Sequence, residues 1–397
     1  MSVEAIQKAV PGDKRRVTVL GSTGSIGCNT IDLIEREPDH YDVVALTANG
    51  NVEKLIEQSK SLRPKRAVIG REELLPQLEA GLSGTGIDCA GGRQAVIDAG
   101  ALEADWVMAA IMGAAGLAPT LEAVRQGTVV GLANKETLVC AGEVFTKELN
   151  DAKATMLPVD SEHNAIFQVF DFDQAERVSR IILTASGGPF RTWAKEDMTD
   201  ITPEQAVAHP NWSMGAKISV DSATMMNKGL ELIEAYHLFP VTSAQIDIVV
   251  HPQSVIHSMV EYIDGSVLAQ MGTPDMRTPI GYALGWPDRI ETPSPKLDFG
   301  TLNTLNFETP DLERFPALVC ARDALNTGGT APAILNAANE IAVDAFLKKR
   351  IAYLDIVTIV RESMERIANK PLLSLDTVYE ADQEARSLAE HLVQATA

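Results

Sequence analysis

Short apolar runs alternate with helix-spaced apolar positions from residue 15 to about residue 150. Apolar runs of about four to eight residues predict buried strands, and the periodic segments between them predict helices. We predict strands at Arg16–Leu20, Tyr41–Ala48, Arg66–Ile69, Trp106–Ala110 and Thr128–Leu132. The first helices are predicted from about Cys28 and over Val52–Ser59. Strands and helices that alternate in this way indicate βαβ units and a parallel sheet.

The pattern changes after Thr155, where strands and helices no longer alternate regularly. A helix is predicted at Asn164–Phe170. The apolar runs of this region that we predict as strands are Met156–Val159, Arg180–Thr184, Ile246–Val250, Val255–Tyr262 and Ser266–Met271. The last two runs flank Asp264-Gly265, a dipeptide that favours hairpin turns. The region therefore resembles a mixed α/β domain.

The end of the chain has a different composition. Residues 291–311 are rich in Pro, Thr and Asn, which is typical of a linker. The segments beyond it that carry helix-spaced apolar residues are Leu312–Leu325, Ala331–Lys348, Ile356–Ala368 and Val378–Val393. They predict a small helical domain over residues 312–397. The preceding domains are expected at residues 1–155 and 156–290.

The charge of the chain narrows the range of partners. The sequence has 34 Lys and Arg against 54 Asp and Glu, a formal net charge of −20. A field of this sign repels nucleic acids and anionic membranes, so we expect neither as a partner. A protein this acidic that binds an anionic substrate must concentrate its cations locally, which directs attention to single lysines in polar loops.

Cysteine usage and the N-terminal segment suggest a cytoplasmic protein. Cys28, Cys89, Cys140 and Cys320 are widely spaced and form no C-x-x-C pair, so we expect reduced thiols and no structural zinc. The N-terminal segment lacks the apolar core of a secretory signal. No apolar run reaches the ~18 residues that a membrane span needs.

A glycine-rich turn over Gly21–Gly27 follows the first predicted strand and opens a helix. In this context glycines let a pyrophosphate approach the backbone, and the helix N-terminus supplies free N–H groups. An ordinary tight turn is the alternative. The second strand ends in Asn49-Gly50-Asn51, without the carboxylate that would bind a ribose 2′-hydroxyl, and this favours NADP over NAD.

Asp160-Ser161-Glu162 closes another predicted strand. In an extended segment the two carboxylates would point to one side and repel each other unless a cation lay between them. Oxygen ligands favour Mg²⁺ or Mn²⁺ over zinc. A helix N-cap, with Glu162 in the first turn, explains the same residues equally well.

A second polar cluster contains Ser222, Asn227 and Lys228, followed by Glu231 on a predicted helix. One cation with neutral donors could bind a phosphate. A solvated, capped helix is the alternative. Ser186 precedes two glycines and could offer its hydroxyl and nearby N–H groups to an anion, although plain turns have the same composition.

Two further polar segments have a possible role in binding. Asn134-Lys135-Glu136 follows a strand of the predicted parallel sheet and would face the cofactor crevice, or else form a solvated helix start. The loop 209–215 contains Trp212 between Pro and Gly, so it could close over a ligand. Trp212 could equally be buried packing.

The motifs together resemble one known family. They are GSTGSIG, GLANKE, LPVDSEHNAIFQ, TASGGPF, HPNWSMG, SATMMNKGLELIEA and HPQSVIHSMVEY. In this order and spacing they make the chain similar to the 1-deoxy-D-xylulose 5-phosphate reductoisomerases from about residue 15 to about residue 370. The resemblance implies an α/β fold: a Rossmann-like NADP-binding domain, a mixed α/β catalytic domain with a lid, and a C-terminal helical bundle. It also implies a homodimer joined through the catalytic domains.

The resemblance implies a function as well. The substrate would be a small phosphorylated keto-sugar, 1-deoxy-D-xylulose 5-phosphate. It would be rearranged with the help of a metal and then reduced by NADPH to 2-C-methyl-D-erythritol 4-phosphate, a step of the methylerythritol phosphate route to isoprenoids. Two alternatives stay open: a metal-dependent NADP sugar-phosphate dehydrogenase that does not isomerise its substrate, and a non-catalytic NADP-sensing protein.

Site residues can be transferred motif by motif. The implied ligands of Mg²⁺ or Mn²⁺ are Asp160, Glu162 and Glu231, which with Lys135 would be the catalytic residues. The implied substrate contacts are Lys135, Ser161, Glu162, Ser186, His209, Trp212, Ser222, Asn227, Lys228 and Glu231. The implied NADPH contacts are Thr23, Gly24, Ser25, Ile26, Asn49, Gly50, Asn51, Asn134, Glu136 and Gly215. Trp212 and Met214 would belong to the lid.

One position departs from the family pattern. The family often has a Lys or Arg where this chain has Gly50. The group that meets the 2′-phosphate of NADPH is therefore open: either backbone N–H groups of residues 49–51 or another cation.

Overall fold

The structure is a computed structural model that describes residues 14–212 and 214–396; the N-terminal segment 1–13 lies outside them. The strands are β1 Arg15–Leu20, β2 Tyr41–Ala48, β3 Arg66–Ile69, β4 Asp88–Gly91, β5 Trp106–Ala109, β6 Val129–Leu132, β7 Thr155–Pro158, β8 Val178–Ala185, β9 Ile246–Val250, β10 Ile256–Tyr262 and β11 Val267–Met271. The helices are α1 Ser25–Arg36, α2 Val52–Leu62, α3 Leu75–Gly81, α4 Arg93–Gly100, α5 Leu117–Arg125, α6 Glu136–Ala152, α7 Ser161–Val169, α8 Pro203–Ala206, α9 Ala216–Thr224, α10 Met226–Leu238, α11 Arg277–Gly285, α12 Ala317–Thr327, α13 Ala331–Leu347, α14 Asp355–Arg366 and α15 Leu375–Thr396.

The contacts between residues divide the chain into two compact units. Of the described residues, the first contains those within 14–137, 145–167 and 275–295, and the second those within 138–144, 168–274 and 296–396. Both units are therefore assembled from separate stretches of chain. The three-domain division at residues 155, 290 and 311 stays a prediction.

The first unit contains a parallel sheet, as the sequence predicts. Its strand order is β4-β3-β2-β1-β5-β6-β7, and every pairing is parallel. β2 to β4 follow on one side of β1 and β5 to β7 on the other, so the direction of the strand order reverses beside β1. The carboxyl ends of the strands at such a point form the usual ligand crevice. The strand β7 pairs with β6 in this sheet, whereas the sequence pattern assigned it to the second domain. The polar strand β4 was not predicted.

Apolar side chains at alternate positions of the strands, which share one face of this sheet, form one core. Val17, Leu46 and Trp106 come from the strands, and α1 and α11 cover them with residues such as Leu33 and Ile280. Full burial of one such side chain contributes roughly 1.5–3 kcal/mol. The core therefore holds the strand ends, and the loops that leave them, in fixed positions.

The second unit is built on a four-stranded sheet of order β11-β10-β8-β9. β8 pairs in parallel with β9 and antiparallel with β10, so this sheet is mixed. The predicted hairpin is confirmed: β10 and β11 are antiparallel, and Gly265 has a φ of 85° in the turn between them. β11 is an edge strand on which Val267 and Leu268 are 47% and 49% exposed.

The helices predicted near the C-terminus are present in the second unit. Nearly all of α13 is buried, and it contacts α14 and α15. The first of these helices, α12, begins at Ala317 rather than at the predicted Leu312. Pro316 explains the difference, because the residue before a proline is disfavoured in helical conformation. Among the described residues, no helix combines the length and the apolar character of a membrane span.

His237 makes the second unit sensitive to acid. Its ring lies against Gly142, and burial lowers the pKa of His237 from 6.5 to about 4. Above pH 6.5 the side chain is neutral in both the folded and the unfolded chain. Between pH 6.5 and about 4 only the unfolded chain takes up the proton, so stability falls as the pH falls.

We therefore expect His237→Gln to flatten the pH dependence of unfolding between pH 6.5 and 4. The difference from the unsubstituted chain should approach on the order of 3 kcal/mol at the acid end. Urea unfolding at a series of pH values measures it, with the exposed His40→Gln as control. Identical slopes for the chain and for His237→Gln would contradict this origin of the acid sensitivity.

Candidate functional site

The glycine-rich turn adopts the geometry of a dinucleotide site within the first unit. α1 begins at Ser25, three residues earlier than predicted, because Gly24 already occupies the N-cap position. A Cβ on Gly27 would lie 2.2 Å from the carbonyl oxygen of Gly21, so the turn admits no side chain there. No side chain caps the first turn of α1. The amides at this helix start fit a pyrophosphate.

Asn134 also fits a bound ligand. It is 2% exposed, which excludes the solvated helix start as its description. Its Nδ2 donates to the carbonyl of Gly113 at 3.1 Å, while its Oδ1 has no partner among the described residues. A buried oxygen without a donor is unfavourable, so a cofactor N–H or hydroxyl at this place would stabilise it.

The residues around Asp160 form a helix start rather than an extended segment. The carbonyl of Asp160 accepts from the N–H of Asn164 at 2.9 Å, which makes Asp160 the N-cap of α7. Glu162 lies in the first turn, where Ser161 donates to its Oε2 at 2.8 Å. The extended segment considered for residues 160–162 was wrong, and the N-cap alternative was right. The Asp160 side chain forms an ion pair with Lys135, and both are largely buried.

In the second unit, the segment from Asp221 to Glu231 joins two helices. α9 ends at Thr224, Met225 has a left-handed backbone with a φ of 64°, and α10 starts at Met226. Asp221 and Ser222 therefore end one helix instead of capping the next. α10 is largely buried, so the solvated-helix alternative is wrong.

Lys228 and Glu231 form a buried ion pair on α10. Lys228 is 3% exposed and Glu231 is 1% exposed. Nζ of Lys228 contacts Oε2 of Glu231, and Nδ2 of Asn227 donates to Oε1 of the same carboxylate. Lysine is almost never fully buried unless it has an anionic partner. The start of α10 thus holds an ammonium group and a carboxylate in contact with each other, and both are shielded from water.

The Ser186 turn packs directly on this segment. A Cβ on Gly188 would lie 2.7 Å from the carbonyl oxygen of Ser222 and 3.0 Å from Cα of Ala223. The N–H of Gly188 donates to Oγ of Ser186 at 3.2 Å. The structure therefore brings together Ser186 and Ser222, two residues that sequence analysis proposed separately as anion contacts.

His209 completes this group in a defined protonation state. Its Nδ1 accepts from the N–H groups of Asn211 and Trp212 at 3.2 and 3.0 Å, so the ring proton belongs on Nε2. That nitrogen then donates to Oγ of Ser186, 2.8 Å away. Burial lowers the pKa of His209. The imidazole is thus held neutral, with a proton pointing toward the serine.

Trp212 is half-buried in the loop between His209 and α9. Its ring centroid lies 6.2 Å from that of His257, and Asn211 anchors the loop by donating to the carbonyl of Pro252 at 2.6 Å. Met214 and Gly215 follow immediately before α9. The role of this loop as a lid stays a prediction.

Residues without a signal in the sequence motifs support the Ser222 segment from α13, from the loop between α13 and α14, and from α9 itself. The hydroxyl of Tyr353 donates to the carbonyl of Ala223 at 2.7 Å. Nδ2 of Asn339 donates to Oδ1 of Asp221 at 2.7 Å, and Lys217 pairs with the same carboxylate at 2.9 Å. The residues on either side of Ser222 are thereby fixed. No local pattern signals the contacts of Tyr353 and Asn339, because their partners lie more than 100 positions apart.

Comparison with known proteins places the chain in a family. A family model described as 1-deoxy-D-xylulose 5-phosphate reductoisomerase matches residues 17–142. Models of C-terminal domains of the same enzyme match residues 156–239 and 271–388. The 1-deoxy-D-xylulose 5-phosphate reductoisomerase of Rhodospirillum centenum is 60% identical over 381 residues, which cover 96% of this chain and 95% of the relative. The chain belongs to the 1-deoxy-D-xylulose 5-phosphate reductoisomerase family.

Solved structures of reductoisomerases share the fold. The enzyme from Zymomonas mobilis in complex with NADPH is 54% identical and superposes with a TM-score of 0.93, covering 96% of this chain and all of that one. A reductoisomerase in complex with NADPH, fosmidomycin and magnesium is 41% identical, with a TM-score of 0.91 and coverage of 96% and 98%. The predicted α/β fold of the reductoisomerase family is confirmed.

The site residues expected of a reductoisomerase fall in both units. Those in the first unit are Thr23, Gly24, Ser25, Ile26, Asn49, Gly50, Asn51, Asn134, Lys135, Glu136, Asp160, Ser161 and Glu162. Those in the second are Ser186, His209, Trp212, Met214, Gly215, Ser222, Asn227, Lys228 and Glu231. Within each unit the structure brings a lysine and a carboxylate together. The individual roles stay predictions.

Tyr353→Phe tests the support of the Ser222 segment. Loss of the hydroxyl leaves the carbonyl of Ala223 without its donor, and should lower the free energy of unfolding by about 1–3 kcal/mol. Amide hydrogen exchange of a peptide covering residues 218–228 should become faster. Tyr236→Phe, at a tyrosine that is 41% exposed, is the matched control. Unchanged exchange in this peptide would contradict the supporting role.

Proposed function

We propose that this chain converts 1-deoxy-D-xylulose 5-phosphate into 2-C-methyl-D-erythritol 4-phosphate, using NADPH and Mg²⁺ or Mn²⁺. The single observation that carries the proposal is the buried pair of Lys228 and Glu231, with Asn227 on the same carboxylate. Burial of two charges is expensive and rarely improves stability, so such a pair suggests binding or catalysis. Family membership supplies the reaction.

Asp160, Glu162 and Glu231 are the proposed metal ligands. Their donor atoms are carboxylate oxygens, the type that Mg²⁺ and Mn²⁺ prefer. Asp160 and Glu231 each form an ion pair with a lysine, so each carboxylate already lies beside a positive charge. When bound, the ion would act as a Lewis acid that polarises the substrate carbonyl and stabilises negative charge on oxygen during rearrangement.

Ser186, Ser222, Asn227 and Lys228 are proposed to bind the phosphate of the substrate. Their donors are two hydroxyls, an amide and an ammonium, which suit a dianion. Contact between the Ser186 turn and the Ser222 backbone supports a common site. His209 would add the hydrogen-bonded neutral imidazole that orients Ser186. Ser161 and Lys135 would contact the sugar.

The residues proposed for NADPH are those of the glycine-rich turn, residues 49–51, Asn134, Glu136 and Gly215. The cofactor would supply the hydride that reduces the rearranged aldehyde. The turn fits a pyrophosphate because its helix start carries no side-chain cap. Trp212 and Met214 would close over the substrate and exclude water from the reacting groups.

A homodimer is proposed as the working form, joined through the second sheet. β11 is an edge strand with the exposed apolar residues Val267 and Leu268. Exposed apolar edges pair readily with another chain, and proteins normally cover or charge them. A second copy covering β11 would account for this edge. The cytoplasmic location stays a prediction.

Glu231→Gln tests the metal ligand. The substitution keeps size but removes the negative charge and replaces one acceptor oxygen by a donor amide, so turnover should fall by more than about 100-fold. NADPH affinity, measured by fluorescence titration, should stay within about twofold because the cofactor residues are elsewhere. Glu313→Gln, at an exposed glutamate, is the control. Turnover close to that of the unsubstituted chain would refute the role of Glu231.

Product analysis separates the proposal from the alternative of a simple dehydrogenase. Incubation with 1-deoxy-D-xylulose 5-phosphate, NADPH and Mn²⁺ should yield a branched tetritol phosphate, because the rearrangement precedes reduction. Carbon NMR of the product distinguishes it from an unbranched product. An unbranched sugar phosphate as the main product would contradict the isomerisation step.

Leu268→Lys tests the dimer. Light scattering should give twice the mass of one chain for the unsubstituted protein, because β11 pairs with a second copy. The introduced charge should shift the variant toward single chains, since charged side chains on edge strands oppose pairing. Leu373→Lys, at a leucine that is 81% exposed, should leave the mass unchanged. A dimer that persists in Leu268→Lys would place the interface elsewhere.

A further inference from the structure

The end of β3 offers a cation beside Gly50. β2 and β3 are parallel neighbours, so their carboxyl ends lie at the same edge of the sheet. The pairing continues past both strands: the N–H of Gly70 donates to the carbonyl of Ala48 at 2.7 Å, and the N–H of Arg71 donates to that of Asn49 at 2.9 Å. Arg71 is thus fixed next to the loop 49–51.

The side chain of Arg71 lies over Gly50. A Cβ on Gly50 would lie 3.0 Å from Cδ and 3.6 Å from Nη1 of Arg71. The side chain of Arg71, at the end of the neighbouring strand β3, therefore occupies the space that a larger residue at position 50 would fill. Gly50 stands where the family often has a Lys or Arg, and its small size leaves room for the side chain of Arg71.

The guanidinium group can be released toward a ligand. Its Nε contacts Oε1 of Glu73 at 2.8 Å, and both side chains are more than half exposed. Exposed ion pairs of this kind are worth only about 0–1 kcal/mol, so a phosphate dianion can compete for the arginine. The planar guanidinium matches phosphate oxygens with two parallel hydrogen bonds.

We propose that Arg71 binds the 2′-phosphate of NADPH and sets the preference of this chain for NADPH over NADH. The 2′-oxygen of a dinucleotide lies at the end of the second strand in this fold, and an arginine nearby accommodates a 2′-phosphate. Here that strand end is Asn49–Asn51, without a carboxylate, and Arg71 is the cation stacked on it. The inference rests on the proposed use of NADPH.

Equilibrium binding of NADPH and NADH to the full chain tests the assignment without any turnover. Arg71→Ala should weaken NADPH binding about 10–100-fold, since hydrogen bonds between charged groups are lost, and leave NADH binding within about twofold. Lys60→Ala, at an exposed lysine at the far end of α2, is the matched control and should change neither affinity. The double variant Arg71→Ala with Gly50→Arg should recover the preference for NADPH, because an arginine at the end of β2 then replaces the one at the end of β3.

Several outcomes would overturn the assignment of Arg71. Equal loss of NADPH and NADH affinity would indicate a general structural role, and unchanged affinities would indicate no role. If Lys54→Ala loses the preference for NADPH over NADH while Arg71→Ala keeps it, the lysine of α2 binds the 2′-phosphate instead. If the unsubstituted chain binds both cofactors equally, the proposed NADPH specificity itself fails. If that chain prefers NADPH while Arg71→Ala keeps the preference, only the arginine assignment fails.

Discussion

Burial of charge is the constraint on which the second unit's site depends. Lys228 and Glu231 are both nearly inaccessible to water, so neither charge can be hydrated. Each ion is tolerated only while the other is held in place, and removal of one partner from such a pair is strongly destabilising. Met225, whose backbone is left-handed, separates α9 from α10, so that α10 begins at Met226. This start places Asn227, Lys228 and Glu231 at neighbouring positions of one helix face. The left-handed turn at Met225 and the buried ion pair of Lys228 and Glu231 therefore depend on each other.

The C-terminal segment takes part in the site, through α13 and the loop that follows it, although it contributes no predicted ligand. Tyr353 and Asn339 hold the backbone and the side chain on either side of Ser222. The Ser186 turn closes the remaining side at van der Waals distance from the same backbone. A short segment with one serine hydroxyl is thus fixed from three directions, which reduces the entropy that binding would otherwise have to remove.

Sequence patterns predicted those parts of the fold that local chemistry determines. β2, β3 and β9 have the predicted limits because their apolar, β-branched residues end abruptly at polar loops. β4 was missed because Asp88–Gly91 carries no such signal and is a strand only through pairing with β3. The sequence pattern grouped β7 with the segment that follows it, whereas β7 pairs with β6 of the parallel sheet, since a local pattern does not say which neighbour a strand pairs with. Among site residues, the motifs indicated the carboxylates and lysines. Arg71 and Tyr353 act across strands or helices, so only the three-dimensional structure reveals them.

The placement of α11 has a consequence for synthesis on the ribosome. This helix belongs to the first unit and contributes Ile280 and Leu284 to a core that otherwise comes from residues 17–159. A growing chain that has reached only residue 270 lacks the helix, so Leu33 and its neighbours on α1 remain open to water. The parallel sheet of the first unit, although translated first, completes its packing only after most of the residues that precede α11 have emerged. Nascent chains of intermediate length therefore present an apolar surface that chaperones would recognise.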